Sequence, residues 1–124
     1  MGGQQNTVLY IEDNAANRQL LEMILARRPD VTLVMAETGS SGLSLSTETL
    51  PGLILLDLSL PDMDGVDVLI RLKEDPRTAA IPVFALSGDP HLQYREGAPA
   101  FDGFLAKPIN IQSLFNVIDT YLNR

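Results

Sequence analysis

Apolar and polar positions along this chain fall into two kinds of segment that take turns. One kind is a short, nearly continuous apolar run, as expected of strands buried on both faces of a parallel sheet. These runs are Thr7–Ile11 (T-V-L-Y-I), 31–36 (V-T-L-V-M-A), Leu53–Asp57 (L-I-L-L-D), 81–86 (I-P-V-F-A-L) and Gly103–Ala106 (G-F-L-A). The other kind repeats apolar residues at helical spacing. Asn14 stands as an N-cap before a stripe of Leu20, Leu21, Ile24 and Leu25, which Pro29-Asp30 ends. A weaker helix is predicted over 41–49, with Leu43 and Leu45 among serines and threonines. Val66, Leu69, Ile70 and Leu72 mark a third over 66–73, broken by Asp75-Pro76. A short fourth fits 91–96, between Pro90 and Gly97, and Ile111, Leu114, Phe115, Ile118, Tyr121 and Leu122 share one face of the last. Strands alternating with helices predict an α/β fold: a doubly wound, five-stranded parallel sheet in a three-layer sandwich with right-handed crossovers. The expected strand order is 2-1-3-4-5.

Composition narrows the function. At 124 residues, 45% hydrophobic and 20% charged, residues 7–124 make one globular domain behind a disordered tail at 1–6. A net charge of -7, with no basic run, argues against a direct nucleic-acid surface. The absence of cysteine removes disulfides and thiolate metal sites, and a single histidine, His91, gives little support to a zinc centre or a Ser-His pair. No apolar segment is long enough to insert in a membrane. The tail has no signal-peptide core, and Asn6 breaks the myristoylation pattern.

The chemistry sits at the strand ends. The first strand delivers Glu12-Asp13, the third Asp57, the fourth Ser87 and the fifth Lys107. Singly, each has a plainer reading: a cap or turn acid, a helix-start acid, a surface lysine. In a 2-1-3-4-5 sheet, however, these ends meet at one rim, outside the carboxyl ends of the strands, where open α/β sheets bind ligands. Carboxylates so gathered repel unless a cation joins them. Oxygen donors without histidine or cysteine suit Mg²⁺. A lysine and a hydroxyl beside that ion are what a transferring phosphoryl group requires. Pro61 and Gly65 in the intervening loop are assigned to turn geometry.

From Thr7 to Leu122 the chain resembles the receiver domain of two-component response regulators, a flavodoxin-like fold. The motifs are E-D after the first strand, D-L-S-L-P-D-M-D-G after the third, A-L-S after the fourth and K-P after the fifth. The resemblance implies that Asp57 is a phosphoacceptor for a phosphohistidine. It implies a Mg²⁺ site of Asp13, Asp57 and the Ser59 carbonyl, with Glu12 acting through water. Lys107 would pair with a phosphoryl oxygen, Ser87 would hydrogen-bond another, and Phe104 would be the switch aromatic that packs inward as Ser87 moves. The Lys107-Pro108 peptide is expected to be cis. Ala15, Ala16 and Ile109 are expected at the docking site of a sensor histidine kinase or histidine phosphotransfer domain. Ser87 stands where threonine is commoner and keeps the hydroxyl. Phe104 lacks the hydroxyl of the tyrosine found in many relatives.

The resulting expectation is a cytoplasmic receiver that catalyses its own Mg²⁺-dependent phosphotransfer and autodephosphorylation and controls an output. The alternative is an interaction module that works without phosphorylation; intact site residues argue against it. A haloacid-dehalogenase-type phosphatase needs an acid where Ser59 stands, and a flavodoxin-like flavin binder needs a phosphate cradle after the first strand. The opening I-E-D-N-x-x-N-R-x-L-L is similar to receivers attached to hybrid kinases, so both a stand-alone shuttle and a piece of such a kinase are entertained. Stimulus, cognate kinase, output and oligomeric state are not read from the sequence.

Overall fold

The computed structural model describes residues 6–88, 97 and 99–122. Strands β1 (Thr7–Ile11), β2 (Thr32–Ala36), β3 (Leu53–Asp57), β4 (Val83–Ser87) and β5 (Gly103–Ala106) form one parallel sheet. Their order is β2-β1-β3-β4-β5, the arrangement expected among the common doubly wound sheets. Helices α1 (Ala15–Leu25), α2 (Gly39–Thr49), α3 (Gly65–Glu74) and α4 (Ile111–Tyr121) cover its faces.

The central strands β1 and β3 are buried at every residue, which is why they read as unbroken apolar runs. Successive residues then serve opposite layers. Val8, Tyr10, Leu53 and Leu55 pack with Leu21, Ile24 and Leu25 of α1 and Leu114 and Ile118 of α4. Leu9, Ile11, Ile54 and Leu56 pack with Val68, Leu69 and Leu72 of α3, with Leu43 and Leu45 of α2 at the margin.

Each helix begins on a side chain that takes up an otherwise open backbone N–H. Asn14 accepts from Asn17, Thr38 from Ser41, Asp64 from Val66 and Asn110 from Ser113. Thr38 and Ser41 form a reciprocal capping box, so α2 starts at Gly39, ahead of the expected 41–49. The buried residues of α2 are Gly39, Gly42 and Ser46. A Cβ on Gly42 would stand 2.5 Å from Ile11 Cδ1, so the missing side chain lets this helix lie close on the sheet.

Several expectations need correction. Leu20 is 40% exposed, because the buried stripe of α1 is Leu21, Ile24 and Leu25 and Leu20 lies one step around the helix. Ile111, also 40% exposed, sits in the first turn of α4 outside its buried row of Leu114 and Ile118. The fourth strand begins at Val83 rather than Ile81. Pro82 has no N–H for the ladder and contributes only its carbonyl, to Ile54 N–H at 3.0 Å. The predicted helix at 91–96 and residues 1–5 of the tail lie outside the described residues.

Gly65 is corrected as well. It has no positive φ and is the first residue of α3, so turn geometry does not require it. A close approach does: a Cβ there would meet the Leu58 side chain and stand 2.9 Å from Leu58 Cα. Backbone cannot give way as a side-chain tip can, so Gly65→Ala is expected to cost about 1–3 kcal/mol. The check is a lower urea midpoint at unchanged m-value.

Candidate functional site

The carboxyl ends of β1, β3, β4 and β5 lie along one rim. Register places Asp57 beside Leu86 and Ser87 beside Ala106, so Lys107 follows directly at the far side. Glu12, just past β1, still bonds through its N–H to Ala36 O at 2.9 Å. The Glu12 and Asp57 side chains are buried, while Asp13 is exposed. Lys107 Nζ donates to Glu12 Oε1 at 3.0 Å and to Asp57 Oδ1 at 2.8 Å. Its backbone N–H donates to Ser87 O at 3.2 Å, and its peptide bond to Pro108 is cis. One carboxylate oxygen from each of Glu12, Asp13 and Asp57 lies within 4.8 Å of the other two.

The two buried acids respond differently to their shared ammonium. Burial pushes the Asp57 carboxyl up; the Lys107 hydrogen bond opposes this, but the Glu12 charge adds to burial, and the net direction is upward. Burial also pushes Glu12 up. There the Lys107 hydrogen bond, the Asn14 N–H and the Tyr10 hydroxyl outweigh it, and Glu12 is held below the usual carboxylate range. Desolvation would lower Lys107, yet its bonds to Asp57 and Glu12 win and raise it. The shared ammonium thus favours the charged form of Glu12, while burial and the Glu12 charge disfavour that of Asp57.

Ser59 lies in the loop after β3, bridged to Asp64 across a tight reversal. That loop opens a cleft of about 460 Å³ lined, among the described residues, by 58–64, Val66 and Ser87. Ser59 and Ser87 thus border one space next to Asp57. A separate hollow of about 190 Å³ is lined by Ser87, Phe104, Leu105 and Ala106. Phe104 is 49% exposed and packs edge-on against Phe101, with ring centroids 5.6 Å apart. Ala15 and Ala16 are exposed at the start of α1. Ile109 lines a small cavity of about 40 Å³ with Tyr10, Asn17, Leu20, Lys107 and Pro108. The fold therefore gathers Glu12, Asp13, Asp57 and Lys107 at one point and sets Ser59 and Ser87 along its cleft. Phe104 lies one hollow away, and Ala15 and Ala16 lie at the start of α1 outside that cluster.

Three contributors escaped the sequence reading. Tyr10 OH, fully buried, donates to Glu12 Oε1 at 3.0 Å. Burial and the neighbouring Glu12 charge push its phenol well above the usual range. The signal was available, because in an extended chain leaving β1 positions 10 and 12 fall on the same side. Arg18 Nη1 donates to the Glu12 carbonyl at 2.9 Å, and Nη2 stands 3.6 Å from Glu37 Oε2. Asp62 accepts the N–H of Gly39 at 2.7 Å and of Ser40 at 3.0 Å. No local pattern announces these last two.

The donor set can be tested against a cation. Clustered carboxylates face one ammonium among the described residues, and every donor is an oxygen. A hard divalent ion such as Mg²⁺ fits that chemistry; a thiophilic or imidazole-seeking metal does not. Among the described residues no helix is long and apolar enough to cross a membrane.

Comparison with known proteins agrees with this geometry. The chain is 31% identical over 121 residues to the polar-differentiation response regulator DivK of Brucella ovis, covering 94% of this chain and 95% of that one. It is 32% identical over 111 residues to histidine kinase P4 of Formosa agariphila, covering 88% of this chain but only 8% of the kinase. The receiver domain of sensor histidine kinase PA1611 from Pseudomonas aeruginosa, solved with magnesium coordinated in its active-site cleft, shares the fold. It superposes with a TM-score of 0.82 at 21% identity, covering 96% of this chain and 98% of that one. Residues 8–119 match the family described as the response regulator receiver domain, and the chain belongs to that family of two-component signalling domains.

Proposed function

We propose that Asp57 accepts a phosphoryl group from a phosphohistidine on a sensor histidine kinase or phosphotransfer domain, and that the adduct switches the face around β4 and β5. The observation that carries this reading is the Lys107 ammonium bridging Glu12 Oε1 and Asp57 Oδ1 at the strand rim. A carboxylate buried at a strand end and sharing one ammonium with a second acid is the kind of charged cluster that functional sites assemble.

In the transfer, an Asp57 carboxylate oxygen forms the new O–P bond while the N–P bond to the donor imidazole breaks, its electron pair staying on the ring nitrogen. Asp13, Asp57 and the Ser59 carbonyl would hold Mg²⁺, with Glu12 acting through water. The ion supplies charge neutralisation for the phosphoryl oxygens. Lys107 gives up its bond to Asp57 Oδ1 and pairs with a phosphoryl oxygen. The Ser87 hydroxyl donates to another, and its movement makes room for the Phe104 ring in the hollow between them. Hydrolysis removes the adduct: water attacks phosphorus, the P–O bond to the Asp57 carboxylate oxygen breaks with its electron pair returning to that oxygen, and inorganic phosphate leaves carrying the oxygen of the water. Ala15, Ala16 and Ile109 would meet the donor domain.

The test is incubation with acetyl phosphate, and separately with a phosphorylated histidine phosphotransfer domain, with Mg²⁺ or with chelator, followed by intact mass. One phosphoryl adduct that needs Mg²⁺ is expected. No adduct from either donor would overturn phosphotransfer and leave an interaction module on this fold.

A further inference from the structure

We infer that Asp62 is a positioning residue for the phosphoacceptor site, which it serves by tying the loop after β3 to the first turn of α2. The inference rests on the proposed Mg²⁺ site, because Ser59 lies in the same loop.

Leaving β3, the chain runs 58–64 along the cleft before α3 starts. Its far end is fastened by Asp64, which caps α3 through Val66 N–H at 2.9 Å. Its middle is fastened by Asp62. One carboxylate oxygen accepts Gly39 N–H at 2.7 Å and the other accepts Ser40 N–H at 3.0 Å. Charge-assisted bonds to two adjacent amides set both position and orientation, as a single contact does not. Met63 adds a packed contact at the same place. A Cβ on Gly39 would stand 2.9 Å from its Sδ, so glycine at 39 is what admits it.

This tie links separate elements. Beyond Thr38, the cap of α2, Glu37 faces Arg18, and Arg18 holds the Glu12 carbonyl at 2.9 Å. The acidic loop after β1, the start of α2 and the loop after β3 are thus joined side by side across the rim. Asp62 is exposed, and the α2 amides hold its carboxyl below the usual range. A carbonyl ligand carries no charge to pull it toward an ion, so its place depends on how the loop is held.

The experiment measures Mg²⁺ affinity by calorimetry for the wild type, Asp62→Ala, Asp62→Asn and Asp75→Ala. Asp75, at the opposite end of α3, also accepts a backbone amide, from Arg77 at 2.9 Å. It controls for lost charge and a lost cap. The titrations are repeated in 1 M KCl, where the screening length is about 3 Å and a missing remote charge has no reach. Asp62→Ala is expected to weaken Mg²⁺ about ten-fold in both salts, in the range of lost outer-shell support. Asp62→Asn, which keeps one acceptor, should fall between Ala and wild type, and Asp75→Ala should match wild type. Amide exchange at Gly39 and Ser40 should quicken in Asp62→Ala. Unchanged Mg²⁺ affinity in Asp62→Ala, an effect that vanishes in 1 M KCl, or an equal loss in Asp75→Ala would each overturn the positioning role. Failure of the wild type to bind Mg²⁺ would instead remove the metal site itself, and this inference with it.

Discussion

Asp57→Asn is expected to abolish the phosphoryl adduct from every donor and, in metal-free buffer near neutral pH, to raise the melting temperature. Loss of the nucleophilic oxygen explains the first effect. The second follows from the direction of the Asp57 shift. Burial and the Glu12 charge raise its folded pKa above the unfolded value. The folded state then binds the proton more tightly than the unfolded chain, so stability falls as pH climbs from the ordinary aspartate range through the raised value. Above that window the carboxylate is a net burden, which a neutral amide of the same shape does not impose. Mg²⁺ should reverse the ranking, because it stabilises the form that binds it by mass action and the variant has lost one of the proposed ligands. Melting curves of both proteins with and without Mg²⁺, between pH 5 and pH 8, check each part. A variant that melts below wild type without metal would show that the Asp57 carboxylate is not the strained group. Wild-type Mg²⁺ affinity should also begin to weaken, on acidification, at a higher pH than an ordinary aspartate would dictate.

Lys107→Met carries the second large effect. It keeps an unbranched side chain one atom shorter and removes the cation that Glu12 and Asp57 share. Deleting one partner of a buried ion pair leaves an uncompensated charge, so the expected loss is about 3 kcal/mol near pH 8, on the order of 10 °C in Tm. The pH dependence distinguishes this from simple loss of packing. Glu12 has a lowered folded pKa, so its contribution is present above the ordinary glutamate value and is lost as pH falls through the folded one. Lys107 has a raised folded pKa, so its contribution is present below the ordinary lysine value and is lost as pH rises through the folded one. The wild-type advantage should therefore be widest between those limits and shrink toward acid, where the variant's carboxylates take up protons. Added Mg²⁺ should narrow the gap as well, by supplying the missing positive charge. A variant equally unstable at all pH values and indifferent to Mg²⁺ would reduce Lys107 to a packing residue.

How far these features were legible depends on what sets them. β1 and β3 were readable because burial on both faces leaves their interiors, Val8–Ile11 and Leu53–Leu56, without a solvent-facing position. The polar residue ending each run then marked the rim, and with the strand order this brought Glu12, Asp13, Asp57, Ser87 and Lys107 together on paper. α2 was hard to bound because it packs through glycine and serine, leaving its apolar periodicity faint. Leu20 and Ile111 were misplaced because hydrophobicity does not say which of two neighbouring helix positions faces the sheet. Gly65 looked like a turn glycine, yet its need arises from Leu58, an approach known only once the loop has closed. The Asp62 tie joins residues more than twenty positions apart through backbone amides, which carry no side-chain signature.

The ammonium that completes this site is supplied from the far end of the chain. Lys107 lies 95 residues from Glu12 and 50 from Asp57, the two acids it bridges. During synthesis both acids leave the ribosome well before their cation does. No shorter stretch that stops before β5 can assemble the site, however well its own strands pair. Contacts of such long sequence separation form late, after the costly closures have been made. Under the proposed phosphotransfer, competence to receive a phosphoryl group would be tied to completion of the whole sheet, and a partly folded or truncated chain is expected to stay silent to a donor.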